Sequence, residues 1–265
     1  MSDEPSPECA DQDAERNASG RKLLPSLRFS IRALLVLIAL AAVCTVFYLR
    51  YAGRRDAVDL LYNHGIKYKH VETSEVPFYL RLAATFLDER ALFPIHEVGN
   101  FAELHHPGVL DAVAELTEVK HLKLEFQEEA IDLEKLRVLV NVERITADGG
   151  FVLDDSFLSS FKKLEVFEWY EGEFRSDFSV FGSLKHLKEF SFEGAGLVVT
   201  DESFARFCDC RSLERIDLSA STIGITDFSP ILNLPNLKRV QRLLDPDDPS
   251  HKEIIAGLPA GCVVE

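Results

Sequence analysis

The chain has 265 residues, of which 46% are hydrophobic and 28% charged, so it is too apolar for a disordered protein and long enough for one or two folded units. Its 44 acidic residues outnumber 29 lysines and arginines, and the formal net charge of −15 disfavours binding to nucleic acid or to anionic lipid. Five cysteines without a paired spacing provide neither a disulfide framework nor a four-ligand zinc pattern.

The N-terminal segment predicts a disordered tail over residues 1–30 and a transmembrane helix over 31–51. The tail contains prolines and charges without an apolar period. The run 33–49 contains no charged residue and is flanked by arginines. A bilayer-spanning helix needs at least about 17 apolar residues, so this run is at the lower limit. Tyr48 and Tyr51 suit the membrane interface.

A cleaved signal peptide and a buried core helix are the alternatives for this run. Ala39-Leu40-Ala41 has the small-residue form of a cleavage site, but the apolar residues continue past it. A core helix would carry a polar stripe, and this run is apolar on every side. Basic residues are equally numerous on both sides, so the orientation follows from the tendency of a first apolar segment with a basic flank to act as a signal anchor. We expect a single-pass membrane protein with a cytoplasmic N-terminus and its repeat domain on the non-cytoplasmic side.

An apolar pattern of the form L-x-x-L-x-x-L-x-L recurs along the chain from Leu116 to Val240. Its third position falls at 122, 145, 167, 190, 216 and 240, a nearly constant spacing. Because a unit of this length cannot bury its own apolar face, the copies must stack into one core. The pattern predicts an α/β solenoid with parallel strands on the concave face and short helices on the convex face. In the last copy Arg242 replaces the second strand leucine. An aspartate also recurs before each predicted helix, at a position where Ser, Thr or Asp can cap the helix. These aspartates are Asp132, Asp154, Asp177, Asp201 and Asp227.

These residues resemble the leucine-rich-repeat family, in the variant with a hydrophobic-Thr-Asp step before each helix, as in Val199-Thr200-Asp201. The resemblance covers roughly 92–265. With the Phe29-Ser30-Ile31-Arg32 lead into a single apolar helix, the chain is similar to the membrane-anchored leucine-rich-repeat proteins common in planctomycete bacteria. The family's turn asparagine is replaced here, so its side-chain ladder is absent; the replacing residues are Gln127, Gly150, Gly172, Ala195 and Ser221.

Residues 55–98 are interpreted as an N-terminal capping module for an array at 99–265, because terminal repeats otherwise expose a hydrophobic end. Pro107-Gly108 is expected to start the first convex helix. The elements expected within the module are a helix at 55–61 ended by Gly65, an edge strand at 66–71, a helix at 78–87 and a strand at 93–98.

The residues between the inward leucines of each strand point outward by the period of two and form the expected binding surface. The first outward column contains His121, Arg144, Val166, Glu189, Arg215 and Arg239, and is mostly basic. The middle column contains Lys123, Thr146, Glu168, Ser191, Asp217 and Gln241, and the third, mostly acidic, contains Glu125, Asp148, Tyr170, Glu193 and Ser219. Tyr170 is the best-placed aromatic anchor for a protein or peptide. The alternative is that these charges only keep an exposed sheet soluble. The candidate protein-binding residues are Lys123, Arg144, Thr146, Glu168, Tyr170, Glu189, Ser191, Glu193, Arg215 and Asp217.

No catalytic, cofactor or metal site is expected, because the sequence contains no dinucleotide, phosphate-loop, nucleophile-elbow or zinc-protease motif. An enzyme would need a deep pocket between cap and first repeat, lined by titratable groups. The residues considered and set aside are His105-His106 as loop histidines, Cys208 and Cys210 as buried apolar residues, Trp169 as core, and the carboxylates Glu128-Glu129, Asp154-Asp155 and Asp245 to Asp248, with His251, as turn and cap groups.

The sequence therefore predicts a membrane-anchored protein-interaction module that binds an unidentified protein or peptide, with no nucleic acid, cofactor or small-molecule substrate. A structural envelope protein without a specific ligand is the main alternative. An enzyme with a site between cap and first repeat is the third.

Overall fold

The computed structural model describes residues 31–85, 87–99, 108–126, 133–149, 152–171, 173–193, 197–219 and 222–265. The chain divides into two compact units, Met1–Tyr48 and Leu49–Glu265. Several predictions lie outside the described residues: the tail 1–30, Pro107, Asp132, the pairs His105-His106 and Glu128-Glu129, and the five turn positions at 127, 150, 172, 195 and 221.

The longest helix, α1, spans Ile31–Asn63. Its apolar window is long enough to cross a membrane and none of it is buried, although a signal sequence near an N-terminus would have the same length and composition. In the second unit α1 contributes Ala57, Val58 and Leu61 to the core. The helix expected separately at 55–61 is therefore the end of α1, since the link at 52–54 contains Gly53 but no proline to break the helix.

The second unit contains one long sheet with β1 at one edge. The strands are β1 (Lys67–His70), β2 (Ile95–Gly99), β3 (His121–Phe126), β4 (Arg144–Gly149), β5 (Val152–Asp154), β6 (Val166–Trp169), β7 (Glu173–Arg175), β8 (Glu189–Phe192), β9 (Val198–Thr200), β10 (Arg215–Asp217), β11 (Thr222–Gly224), β12 (Arg239–Gln241) and β13 (Val263–Val264). Within the described residues the long sheet has the order β1-β2-β3-β4-β6-β8-β10-β12-β13, and two small sheets pair β5 with β7 and β9 with β11. β1 is antiparallel to β2, and the described pairs that follow are parallel. The parallel sheet with helices makes this unit an α/β solenoid.

The inward columns lie in register, as predicted. Each third-position residue pairs with its counterpart on the next strand, and all six are 0% exposed: Leu122, Ile145, Phe167, Phe190, Ile216 and Val240. The second inward column is also buried, through Leu124, Ala147, Trp169, Phe192 and Leu218. Val98 of β2 pairs with Leu122, so this column begins one strand earlier than the boundary predicted at 98/99.

The helices on the other side of the repeats are α-helices in some repeats and 3-10 helices in others. They are α4 (Val109–Ala114), η1 (Leu133–Val138), η2 (Asp155–Ser160), η3 (Phe181–Ser183), α5 (Asp201–Phe207), η4 (Ser229–Asn233) and α6 (Lys252–Gly257), after α2 (Phe78–Ala83) and α3 (Glu89–Leu92) in the earlier segment; η denotes a 3-10 helix. The three shortest steps of the repeat, from 122 to 190, all contain 3-10 helices, while the longest step, from 190 to 216, contains α5. A 3-10 helix rises about 2.0 Å per residue against about 1.5 Å for an α-helix, so short repeats cover the same length with fewer residues.

The recurring aspartates bind the backbone two residues later in three repeats and do something different in the fourth. Of the three, only Asp154 caps a helix, because η3 and η4 begin without a side-chain cap. Thr200 caps α5 in a reciprocal pair with Ser203. The carboxylate of Asp201 instead accepts hydrogen bonds from the backbone N–H groups of Thr226 and Asp227 at 2.6 and 3.0 Å and from the Thr226 hydroxyl at 2.6 Å, which ties two repeats together. In the other three, the carboxylate accepts from the backbone N–H two residues later: Asp154 from Ser156, Asp177 from Ser179 and Asp227 from Ser229.

The core is unusually aromatic on the side of the longest repeat. Phe190 contacts four other rings with centroid distances between 5.0 and 6.0 Å: Phe167, Phe178, Phe181 and Phe207. Trp169 is buried beside Phe192, as the sequence predicts for its column. Ring-on-ring packing therefore links neighbouring repeats.

Candidate functional site

The outward side chains of the long sheet differ in exposure from column to column. The first and middle columns are mostly half-buried, whereas Glu125, Asp148, Tyr170 and Glu193 of the third column are exposed. Three positions expected to be accessible are buried, namely Val166 and Asp217, which are 8% and 3% exposed, and Ser219. Of the ten candidate residues, Asp217 is therefore the one that a partner does not reach, because Arg242 covers it.

Glu97 of β2 organises one end of this face. Its carboxylate lies 2.9 Å from Lys69 Nζ, 2.9 Å from Lys123 Nζ and 3.4 Å from His121 Nδ1. Burial alone would raise the pKa of Glu97, but hydrogen bonds from the two lysines hold it to about 2. Glu97 was not among the predicted site residues, although it precedes His121 by one step of the repeat.

A polar chain continues from this end across two strands. His121 Nε2 lies 3.1 Å from Thr146 Oγ1, and the Thr146 hydroxyl donates to Glu168 Oε2 at 3.0 Å. Arg144 Nη1 donates to both oxygens of Glu168 at 3.3 Å. Burial lowers the pKa of His121 to about 4, against the opposing charge of Glu97, so the imidazole is neutral at pH 7. Three of the ten candidate residues, Arg144, Thr146 and Glu168, are thus already bonded to one another.

At the far end the basic first column is paired with its neighbours in the same way. Arg215 donates to Gln241 Oε1 from Nη2 at 2.7 Å and from Nε at 3.1 Å, and its Nη1 lies 3.9 Å from Glu189. Gln241 Nε2 donates in turn to Glu265 at 2.8 Å. These side chains are held in place before any partner arrives.

Arg242 does not occupy the leucine column in which its sequence position placed it. Strand β12 ends at Gln241, and Arg242 adopts a left-handed backbone with φ of 56°. Its Nη2 and Nε donate to the two oxygens of Asp217 at 2.7 and 3.2 Å, and its Nη1 lies 3.7 Å from Glu193. Leu243 and Leu244 are buried beyond it. The arginine therefore neutralises a buried carboxylate on the outward face, and the two following leucines supply the apolar contacts.

The exposed residues of the third column form a stripe, defined here as Glu125, Asp148, Tyr170 and Glu193. Of these four, only Glu193 takes part in a pair described above, with Arg242. Glu125 lies opposite Asp148 on the adjacent strands. The backbone N–H groups of Tyr170 and Glu193 donate to carbonyls of the preceding strands at 2.9 and 2.7 Å, which extends the ladder along the stripe. Partial burial, with Glu168 and Glu193 nearby, raises the pKa of Tyr170. The stripe thus presents an aromatic ring among carboxylates.

The charged cavities beside the first repeat contain groups that already pair with one another. A cavity of about 620 Å³ between α1 and the end of α4 is lined by Arg50, Arg54, Glu115 and Glu118, and Arg54 forms an ion pair with Glu118 there. A cavity of about 240 Å³ between β1 and β3 is lined by charged groups, but Glu97 already pairs with Lys69 and Lys123 there. Within the described ranges, no group of three or more His, Cys, Asp or Glu side chains could hold a metal ion. Cys208 and Cys210 are buried, and burial raises the pKa of both thiols, so they are inert apolar residues.

The remaining carboxylates considered in the sequence serve local structure. His251 Nδ1 accepts from the backbone N–H of Asp245 at 2.9 Å, and Asp248 binds the backbone of Ser250 at 2.8 Å. Asp155 is buried, and its carboxylate accepts from Ser176 Oγ at 2.7 Å. These contacts fix turns and a helix start.

Solved structures with a similar fold are leucine-rich-repeat proteins. An internalin from Listeria monocytogenes is 18% identical over 58% of this chain and 42% of its own, with a TM-score of 0.43. A leucine-rich-repeat protein from Leptospira interrogans is 17% identical over 58% of this chain and 38% of its own, with a TM-score of 0.47. The matched part thus spans less than half the length of either protein. No protein-family model and no curated protein matches the sequence. The narrower resemblance to planctomycete membrane-anchored proteins stays a prediction.

Proposed function

We propose that the chain is a membrane-anchored, non-catalytic protein-interaction module that binds a protein or peptide across the outward face of its long sheet. The observation that carries this proposal is the stripe. It exposes Tyr170, 37% accessible, on a face whose other charges are largely paired among themselves. Tyrosine supplies a large, rigid, amphipathic contact, and such residues dominate the energetics of protein interfaces.

The charge of the stripe indicates the chemistry of the partner. Glu125 and Asp148 are like charges directly opposite each other on paired strands, an arrangement that costs stability in the free protein. Arg242, at 3.7 Å from Glu193, is the nearby cation at the far end. A basic segment with an apolar side chain against Tyr170 would relieve this repulsion. Adjacent strands are about 4.8 Å apart, so the four positions cover about 14 Å, the length of a short extended peptide.

The anchor in this proposal is the exposed apolar part of α1, with the N-terminus in the cytoplasm and the second unit on the non-cytoplasmic side. Residues 55–98 are proposed to cap the array. In support, Ala57, Val58, Leu61 and Ile66 are buried in the same core as the strand columns, and antiparallel β1 ends the series of parallel strands. A protease-protection assay on sealed cells tests the orientation: external protease should digest the second unit only when that unit faces outward.

Photo-crosslinking tests the binding face. The full chain is expressed in its own cells with a photo-reactive phenylalanine at Tyr170, and a matched chain carries it at Val198, which is exposed on β9 outside the long sheet. We expect a discrete protein adduct from position 170 that Glu193→Lys reduces several-fold and that the surface change Glu253→Lys leaves intact. Equal adducts from both positions would instead support the structural protein without a specific ligand. The absence of any adduct from position 170 would remove the stripe as a binding site.

A further inference from the structure

Helix α2 (Phe78–Ala83) presents apolar side chains to the outside of the second unit. Phe78, Tyr79 and Leu82 are 71%, 67% and 54% exposed, and no residue of the helix is buried. In the described part of 50–265, the other exposed large apolar residues are scattered: Tyr62, Val138, Val140, Tyr170, Val198, Leu232 and Val263. Three such residues within one short helix form a patch of the kind that marks an interaction surface.

The opposite side of α2 packs in a cluster that includes Tyr51 of α1, near the beginning of the second unit. Leu80 and Ala83 pack into a small cluster with Val76, Leu92 and Phe93, and Tyr51 of α1 belongs to the same cluster. The backbone N–H of Asp88 donates to the Tyr51 hydroxyl at 3.0 Å, and Arg54 Nη2 donates to the carbonyl of Phe93 at 2.8 Å. The segment that carries α2 is therefore attached at the turn of α1 that includes Tyr51 and Arg54.

The residue of α1 to which this segment is attached, Tyr51, follows the apolar run closely in the sequence. Tyr51 follows Leu49, the last residue of the uncharged run, by two positions, or about 3 Å of helix at about 1.5 Å per residue. The headgroup layer on each side of a bilayer is about 5–8 Å thick, from a core of about 30 Å within a total of about 40–45 Å. Along the chain, Tyr51 thus follows the apolar run by less than the thickness of this layer, in which aromatic side chains are enriched in membrane proteins.

The charge distribution permits close approach to a bilayer at this point. Residues 49–99 contain seven basic and seven acidic side chains, whereas residues 100–265 contain 17 basic and 31 acidic ones. The repulsion expected from the net charge of −15 therefore belongs to the repeats and not to the segment around α2. Arg81, exposed on α2 itself, is attractive for lipid phosphate.

We propose that Phe78, Tyr79 and Leu82 insert into the interfacial layer of the same bilayer that α1 crosses. The inference rests on the proposed membrane anchoring. It adds a second, monotopic contact, in which α2 lies in the interface with its apolar side chains toward the lipid. The capping segment is then held against the membrane surface instead of moving freely on the end of α1.

Tryptophan fluorescence in lipid vesicles tests the proposal with the full chain. The variant Tyr79→Trp is reconstituted in phosphatidylcholine with a minority of phosphatidylglycerol, with and without brominated acyl chains, which quench tryptophan on contact. Val198→Trp is the matched exposed control, and the wild-type chain reports the buried Trp169 alone. Interfacial helices sit about 5–10 Å into the headgroup and acyl boundary, so we expect about a twofold loss of emission from the tryptophan introduced on α2 and no loss for either control.

Flotation of the same vesicles separates the two proposals. A chain that does not float with the lipid contradicts the membrane anchor itself. A chain that floats while the tryptophan on α2 emits as in water, unquenched by bromine, overturns the interfacial contact and leaves the anchor intact. Blue-shifted emission without bromine quenching would show that protein covers α2, and this too overturns the proposal; a dependence on protein-to-lipid ratio would identify a second copy as the cover.

Discussion

Replacing Arg242 with leucine distinguishes two opposite expectations for the last described repeat. Sequence position places residue 242 in the inward column, where a leucine would gain about 1.5–3 kcal/mol by burial. The structure instead directs the side chain outward from a left-handed residue to the buried carboxylate of Asp217. Arg242→Leu should therefore destabilise the protein.

The magnitude follows from the two hydrogen bonds that are lost. Removing one partner of a buried ion pair costs about 3–5 kcal/mol, and a hydrogen bond to a charged group contributes about 1.5–3 kcal/mol. The Arg242 side chain is 50% exposed while that of Asp217 is 4% exposed, so water can approach the carboxylate from one side only. We expect a net loss of about 2 kcal/mol, discounted for this solvent screening. For a unit of about 200 residues this lowers the melting temperature by about 4–8 °C.

The assay is thermal unfolding of the full chain in detergent, followed by circular dichroism. Arg239→Leu, at an exposed arginine of β12 three residues before Arg242, is the control and should change stability by less than about 0.5 kcal/mol. In a double-mutant cycle, Arg242→Leu should cost less when Asp217→Asn is already present, because the charge to be compensated is gone. An Arg242→Leu protein that melts at or above the wild-type temperature would refute the assignment of this side chain to the outward face.

Three further changes test the interior and its titrating groups. The pKa of His121 is about 4, below its ordinary 6.5, so the folded state binds fewer protons than the unfolded state between these values, and stability should fall as pH falls from 6.5 to 4. In a series of melting curves, His121→Gln should show a smaller decline over that window; an identical decline would assign it to other groups. Burial raises the pKa of Asp155, so its charge weakens the fold increasingly as pH rises above the ordinary value of 3.8. Asp155→Asn, which keeps an acceptor for Ser176, should melt higher than wild type at pH 7, with the difference disappearing near pH 3; a lower melting temperature at pH 7 would contradict the sign. Phe190→Ala should cost about 3–5 kcal/mol in urea unfolding, since it leaves a cavity among four rings, and a loss below about 1 kcal/mol would show that they are not packed as described.

The strand register was predictable from sequence because it depends on a single repeated requirement. Every copy must bury its third apolar residue against the same residue of the next copy, so a near-constant step fixes both the parallel pairing and the inward column from Leu122 to Val240. The same requirement places Trp169 in the core. Helix type was less predictable, because two steps of the same 24 residues contain different helices: α4 lies between Val98 and Leu122, and the 3-10 helix η4 lies between Ile216 and Val240.

The candidate site was predictable only as a set of columns. The two-residue alternation of side chains along a strand places Arg144, Glu168 and Arg215 on the outward face. It does not indicate which long side chains turn toward each other across strands. Two local features decide the rest. Asp217 is covered only because Arg242 adopts a left-handed backbone, which a sequence pattern of apolar positions does not report. Glu97 was missed because its segment was assigned to the capping module, although Leu92, Ile95 and Val98 keep three of the four apolar positions and only Asn100 departs from the pattern.

The pairing pattern also explains why binding is assigned to the third column instead of the whole face. Most charges in the other two columns, Arg239 being an exception, meet opposite charges or hydrogen-bonding neighbours within the protein. A partner would have to break contacts such as that between Arg144 and Glu168 before it could use them. Glu125 and Asp148 carry the same charge and face each other on paired strands. If these charges served solubility alone, acidic and basic residues could alternate along the column without any loss of solubility. A face selected only for solubility has no need of an exposed aromatic ring beside them. The cost that the free protein accepts along this stripe is therefore the physical reason to look for a basic partner there.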